Sequence, residues 1–225
     1  LRELGAMPIE IDTDGIYYTP PSGLDASGRE RFQADFRAHL PEGIEVEFDG
    51  HFRAMFSYKM KNYALLEENG AVILKGAALK SRGLEPFLRD FLREWITLTL
   101  QDRSEEIPAM IARRRNDIAL RRLPIAALAK TEMLTDAPST YLKKREAGGK
   151  SRQPAYEVAM ASGHLYQAGD AVSYYVTGAK KNLPVHANAK LAASFNPASR
   201  DENVPFYLAK LDALIKKLDA RTPET

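Results

Sequence analysis

The sequence predicts an α+β chain: an antiparallel sheet with a packed helix, followed by a mostly helical part. Three observations carry that prediction. Over the first third of the chain, β-forming residues alternate with polar ones in short runs joined by turn residues. After Gly83, large apolar residues recur at helical spacing instead. Charge changes with them: residues 1–52 carry eleven acids against four arginines, net −7, whereas residues 103–152 carry twelve basic residues against six acids, net +6.

The elements follow in order. Residues 7–19 read as strand, turn, strand, with Ile9 and Ile11 flanking Glu10, and Ile16, Tyr17 and Tyr18 resuming after Gly15. Pro20-Pro21-Ser22-Gly23 breaks the chain. Phe32, Phe36 and Leu40 recur every four residues and mark a helix that Pro41 stops. "GIEVEFDG" (43–50) alternates again and ends in Asp-Gly, so it predicts another strand. Asn69-Gly70, between "YALL" and "AVIL", predicts a second hairpin.

Beyond Gly83, Leu84, Phe87, Leu88, Phe91, Trp95 and Leu98 predict a helix with one core-facing stripe. Ser104 is placed to cap a further helix reaching about Arg122, with Glu105 and Glu106 in its first turn. "PSTYLKKRE" and "QPAYEVAMASGHLY" predict shorter helices around the loop "AGGKSR". "GDAVSYYVTG" (169–178) predicts a strand with Tyr174 and Tyr175 on opposite faces, one buried and one outward. "VPFYLAKLDALIKKLDA" predicts a closing amphipathic helix. A sheet-rich unit is expected over residues 1–95 and a mostly helical one over 96–225.

Composition excludes several classes. With 225 residues, 44% hydrophobic and 28% charged, the chain can bury a core. It has no run of about 18 apolar residues, so no membrane partner is expected. No secretory signal is visible, and a cytoplasmic location is expected, nucleoid-associated if the source is prokaryotic. The absence of Cys excludes disulfides, thiolate metal sites and a Cys nucleophile. His39, His51, His164 and His186 share no zinc-ligand spacing. There is no Gly-x-Ser-x-Gly elbow, and "GAKKN" lacks the length and hydroxyl of a phosphate-cradling loop. The first residue is Leu and the chain enters mid-pattern, so a piece of a longer protein is expected.

"IEIDTDGIYY" carries the chemistry. A hairpin turn brings Asp12 and Asp14 close enough to share a divalent cation, and hard carboxylate oxygens suit Mg²⁺. Mg²⁺ keeps water and phosphate ligands and needs only one or two protein carboxylates, which suits phosphoryl or nucleotidyl transfer. Asp and Gly are also favoured turn residues with no metal at all, so the motif alone is ambiguous.

Its context is specific. "DTDG" between apolar strands resembles the third conserved palm motif of family B (α-type) DNA polymerases. "KMKNYALL" (59–66) looks like that family's Lys-Lys-x-Tyr segment, and "KSRGLEPFLRDF" (80–91) like the Arg-Gly-Leu-Glu…Arg-Asp segment leading from palm to thumb. "TEMLTDAPSTYLKKREAGGKSRQPAYEVA" followed by "AGDAVSYYVTG" is similar to the thumb, with its Gly-Asp-x-Val-x-Tyr marker. Four motifs in order cover nearly the whole chain. The resemblance implies residues 1–95 as the C-terminal part of the palm and 96–225 as a thumb of the compact prokaryotic kind.

It also implies roles. Asp14 would be the principal ligand of a two-metal Mg²⁺ site and Asp12 its supporting acid. Thr13 would lie near the primer terminus. Lys61 and Tyr63 would contact the primer–template duplex on its minor-groove side. Arg82 and Gly83 would sit near the DNA backbone, and Arg113, Arg114, Lys130, Lys143, Lys144 and Arg152 would face phosphates as the thumb wraps the duplex. Such contacts hold DNA without reading sequence, which fits the basic half of the chain.

Two departures stand out: Glu10 replaces the Tyr often found two residues before the first acid, and Met60 replaces the first Lys of the Lys pair. The family's first palm motif, nucleotide-binding fingers helix and proofreading acids are not in this sequence. The resemblance therefore implies a piece inactive by itself, with the N-terminal, exonuclease and fingers regions elsewhere and deoxynucleoside triphosphate as the whole enzyme's substrate. Two further readings stay open at this point: a non-catalytic duplex-binding module, and a Mg²⁺-dependent phosphohydrolase.

Overall fold

The computed structural model describes residues 1–12, 15–76, 83–149 and 151–219. The chain forms two compact units, Leu1–Gly76 and Ala77–Thr225. The expected boundary at 95/96 lies within the helix Pro86–Leu100, whose Trp95 and Ile96 are both buried.

In the first unit, β1 (Met7–Asp12) pairs antiparallel with β2 (Gly15–Thr19), Ile11 opposite Ile16 and Asp12 opposite Gly15. The register shifts between Pro8 and Glu10, beside a proline that has no N–H for the ladder. Helix α1 (Ala26–Ala38) starts at Asp25, whose carboxylate accepts the Gly28 N–H at 2.7 Å. Its buried Phe32 packs against Tyr18, with ring centroids 5.6 Å apart. A second antiparallel sheet has the order β3 (Ala54–Lys59), β4 (Asn62–Leu66), β5 (Val72–Lys75). Ala64, Leu65 and Leu66 of its central strand are buried. The Asn69-Gly70 turn forms as predicted: Gly70 takes φ 84°, and the Asn69 side-chain oxygen accepts the Ala71 N–H.

The strand expected over 43–50 does not form. The alternation is present in the burial, Val46 and Phe48 half-buried between exposed Glu45 and Glu47, but among the described residues no strand pairs with it. The segment lies instead along α1. Phe48 packs edge-on to Phe36, the Arg37 guanidinium lies 4.9 Å from the Phe48 ring centroid, and Arg37 Nε donates to the Val46 carbonyl.

The second unit mixes helices with a sheet. Helix α2 (Pro86–Leu100) buries Phe87, Leu88, Phe91, Leu92, Trp95 and Ile96, so the aromatic stripe is core. Ser104 does not cap the next helix. Ser104–Glu106 is a 3-10 turn, and α3 runs Ile107–Ala119 with a proline in its first turn. It ends before Arg122, where Arg121 turns left-handed at φ 55°. After α4 (Ile125–Leu128) come β6 (Lys130–Met133), α5 (Pro138–Glu146), α6 (Pro154–Ala161), β7 (Ala171–Val176), β8 (Ala189–Leu191) and α7 (Val204–Asp219).

Strands β6, β7 and β8 form an antiparallel sheet with β7 in the middle. The Gly-Asp-x-Val-x-Tyr marker is the turn into β7. Gly169 takes φ 92° and donates to the Leu134 carbonyl, and Asp170 accepts the Gln167 N–H. Val172 and Tyr174 enter a core with Leu134, Tyr141, Tyr156 and Val158. Tyr174 and Tyr175 are both buried, against the expectation that one faces outward. The sheet is covered on both sides: Tyr175 packs against Phe195 and donates its hydroxyl to Asp201.

Candidate metal turn and nucleic-acid interface

Strand β1 buries its acidic face and exposes its apolar one. Met7 and Ile11 are each 65% exposed, while Glu10 on the opposite face is only 9% exposed. Strand alternation puts Glu10 and Asp12 on one face, and that face is the packed one. It meets the two-residue turn Met60-Lys61 between β3 and β4, where Lys61 takes φ 60°.

Three predicted residues come together there. Lys61 Nζ lies 2.7 Å from the Asp12 carboxylate. Tyr63, on the strand leaving the turn, is buried; its ring centroid is 5.0 Å from that of Tyr17, and its hydroxyl donates to the Tyr17 hydroxyl. Burial pushes the Tyr63 hydroxyl pKa well up, and Tyr17 and the charges of Asp12 and Glu10 add to it, so Tyr63 stays a neutral donor. Thr13, Asp14 and Arg82 lie outside the described residues. Gly83 begins the described part of the second unit.

The described donor fits Mg²⁺ in kind, and Mg²⁺ needs only one or two protein carboxylates. Asp12 offers a hard, one-third-exposed carboxylate at a hairpin tip. Among the described residues no group of three or more His, Asp or Glu side chains converges.

Sequence reading missed two residues here. Glu10 accepts the Lys61 backbone N–H at 3.0 Å and the Ser57 hydroxyl at 3.2 Å. Its signal was the alternation itself, which placed a lone acid opposite two exposed isoleucines. Gly76 takes φ 93°, and a Cβ there would collide with the Lys61 carbonyl and lie 2.7 Å from Asn62 Cα, so only glycine lets the chain cross this turn.

In the second unit, most of the predicted phosphate-facing cations are engaged by acids of the chain itself. Arg113 and Arg114 both bind Glu94. Burial pushes the Glu94 carboxyl up, but hydrogen bonds from Arg114 and Arg113 outweigh it and hold its pKa below the usual value. Lys130 pairs with Glu132, and Lys144 with Asp136. Lys143 and Arg152 are exposed. Glu94 was not legible as a partner, because 19 residues and a chain reversal separate it from Arg113.

Residues 29–220 match DNA polymerase family B, a span that includes Lys61, Tyr63 and the second unit's basic residues and begins after the acid turn. A DNA polymerase from Pyrococcus glycovorans is 24% identical over 97% of this chain, and one from Methanocaldococcus jannaschii is 25% identical over 83% of it. The chain spans 28% and the matched stretch 11% of those proteins. The structure of the family B DNA polymerase from the hyperthermophilic archaeon Pyrobaculum calidifontis superposes with a TM-score of 0.69 and covers all of this chain with 27% of its own, at 16% identity, which shows a shared fold. The ordered motifs are thus met by a family match over most of their length, and the chain belongs to DNA polymerase family B.

Proposed function

We propose that this chain is the C-terminal palm (residues 1–95) and thumb (96–225) of a DNA-directed DNA polymerase. In this reading it grips primer–template duplex and contributes Asp12-Thr13-Asp14 to a Mg²⁺-dependent nucleotidyl-transfer site. The observation that supports it best is the meeting of Asp12, Lys61 and Tyr63 at one place in the first unit. Asp12 and Asp14 would hold Mg²⁺, which supplies charge stabilisation of the transferring phosphoryl group, with further ligands from segments outside this chain. Lys61 carries a flexible ammonium within reach of minor-groove acceptors, which are nearly common to all base pairs, so it contacts duplex without selecting sequence. Tyr63 packs on Tyr17 of β2 and fixes the strand that follows Lys61. Among the basic residues of the second unit, Arg113, Arg114, Lys130 and Lys144 bind phosphates by exchanging their internal acids for DNA, the exposed Lys143 and Arg152 meet phosphates directly, and Arg82 and Gly83 lie near the DNA backbone.

The test is fluorescence anisotropy of a labelled primer–template duplex with the 225-residue chain at two salt concentrations. Expected are salt-sensitive binding, similar affinity for unrelated sequences, and weakening by Lys61→Ala and by a charge-reversed Arg113/Arg114/Arg115 variant. No incorporation of nucleotide is expected from the purified chain. Absence of duplex binding at low salt, or binding indifferent to both changes, refutes the reading.

A further inference from the structure

Glu10 is a buried carboxylate at a position where strand stability alone asks for none. Burying an ionised carboxylate is costly unless hydrogen bonds compensate it, and the exposed face of the same strand carries isoleucines at residues 9 and 11. The compensation is specific. One Glu10 oxygen accepts the backbone N–H of Lys61 at 3.0 Å, and the other accepts the Ser57 hydroxyl at 3.2 Å. Two residues along the same face, Asp12 meets the Lys61 ammonium at 2.7 Å. The left-handed Lys61 is therefore held at its main chain by Glu10 and at its side-chain tip by Asp12, and Gly76 passes too close to its carbonyl for any side chain at residue 76.

We propose that Glu10 is a positioning residue for Lys61, fixing the turn from which the lysine reaches duplex DNA. The inference rests on the reading of Lys61 as a duplex contact. The ammonium exchanges its bond to Asp12 for base-pair edges when DNA binds. The Glu10 bond to the main chain persists through that exchange and keeps the turn ordered. Lys61 thus spends less conformational freedom on binding than a lysine on an untethered loop. Glu10 acts through the geometry of an accepted hydrogen bond, so a glutamine at this position serves and an alanine does not.

The experiment is a double-mutant cycle in duplex binding by the 225-residue chain, with wild type, Lys61→Ala, Glu10→Ala, Glu10→Gln and the Glu10→Ala/Lys61→Ala pair. Lys61→Ala is expected to weaken binding about tenfold, the scale of one charged hydrogen bond. Glu10→Ala is expected to weaken it by about three- to tenfold, Glu10→Gln by less than about twofold, and the double variant no more than Lys61→Ala alone. A merely structural Glu10 would instead multiply its effect onto that of Lys61→Ala, and that outcome overturns the proposal. So does Lys61→Ala weakening binding while Glu10→Ala leaves it unchanged. If Lys61→Ala itself has no effect, the duplex-contact reading fails and takes this inference with it. Amide hydrogen exchange on the wild-type chain gives a check that needs no variant: the Lys61 N–H is expected to be protected although the turn is exposed, and rapid exchange there overturns the proposal.

Discussion

Among the described residues, Glu202 is the least exposed acid of the second unit, 1% exposed by side chain, and it offers a quantitative test of how that unit is fastened. One carboxylate oxygen accepts Arg121 at 3.0 Å, across 81 residues. The other accepts both the Nε and Nη2 of Arg200. Arg200 also reaches the Leu123 carbonyl, so the cluster ties the end of α3 to the start of α7. In Glu202→Gln the side chain keeps its size, but one oxygen becomes an NH₂ facing an arginine donor. Removing one charge of a fully buried pair costs about 3–5 kcal/mol. Arg121 and Arg200 are 37% and 26% exposed and regain part of their hydration, which lowers the expected cost to about 2–3 kcal/mol. Trp95 is the only tryptophan and is buried in α2, so its fluorescence reports on this unit. With a urea m-value of about 2 kcal/mol/M, the midpoint should fall by about 1–1.5 M. Glu146→Gln, at an exposed position, is the reference and should stay within about 0.5 kcal/mol of wild type. A Glu202→Gln midpoint no lower than that reference would refute the reasoning.

Three further predictions address the same unit. Glu94→Gln removes the acid that holds Arg113 and Arg114, so duplex binding at low salt should tighten by about two- to fivefold, with a steeper salt dependence; weaker binding in the anisotropy titration would show that Glu94 orients these arginines for DNA. Because the folded-state Glu94 carboxyl is held below its unfolded value, its pairing contributes stability above about pH 4.5 and loses it as pH falls through the lower folded value, so the wild-type advantage over Glu94→Gln in urea unfolding should shrink in acid. Tyr141→Phe keeps the stack on Tyr156, whose ring centroid is 4.0 Å away, but deprives the Gln153 N–H of its acceptor and Glu157 of a donor; it should cost about 1–3 kcal/mol in the Trp95-detected transition, and a loss under about 0.5 kcal/mol would contradict that account.

The elements that follow from local physics were legible in the residues. The α2 stripe, the Asn69-Gly70 turn and β7 between Gly169 and Gly178 depend on periodicity, on glycine at positive φ and on side-chain size, all written within a few residues. The segment 43–50 shows the limit. Its alternation set which side chains turn inward, but a strand needs an edge to pair with, and whether one is free is decided elsewhere in the chain. Tyr175 shows it again: the period placed it opposite Tyr174, and only the packing of Phe195 and Asp201 determined that the second face is covered too.

At the candidate site the division is similar. By itself the sequence determined the motif order, the two acids around Thr13, and the lysine and tyrosine beyond the next strand, because those are residue types at fixed spacing. Tertiary structure decided that Lys61 rests on Asp12, that Glu10 holds its main chain, and that Glu94 holds Arg113 and Arg114. These are electrostatic pairings between groups 19 to 51 residues apart, and their energy depends on a separation of about 3 Å that no local pattern encodes.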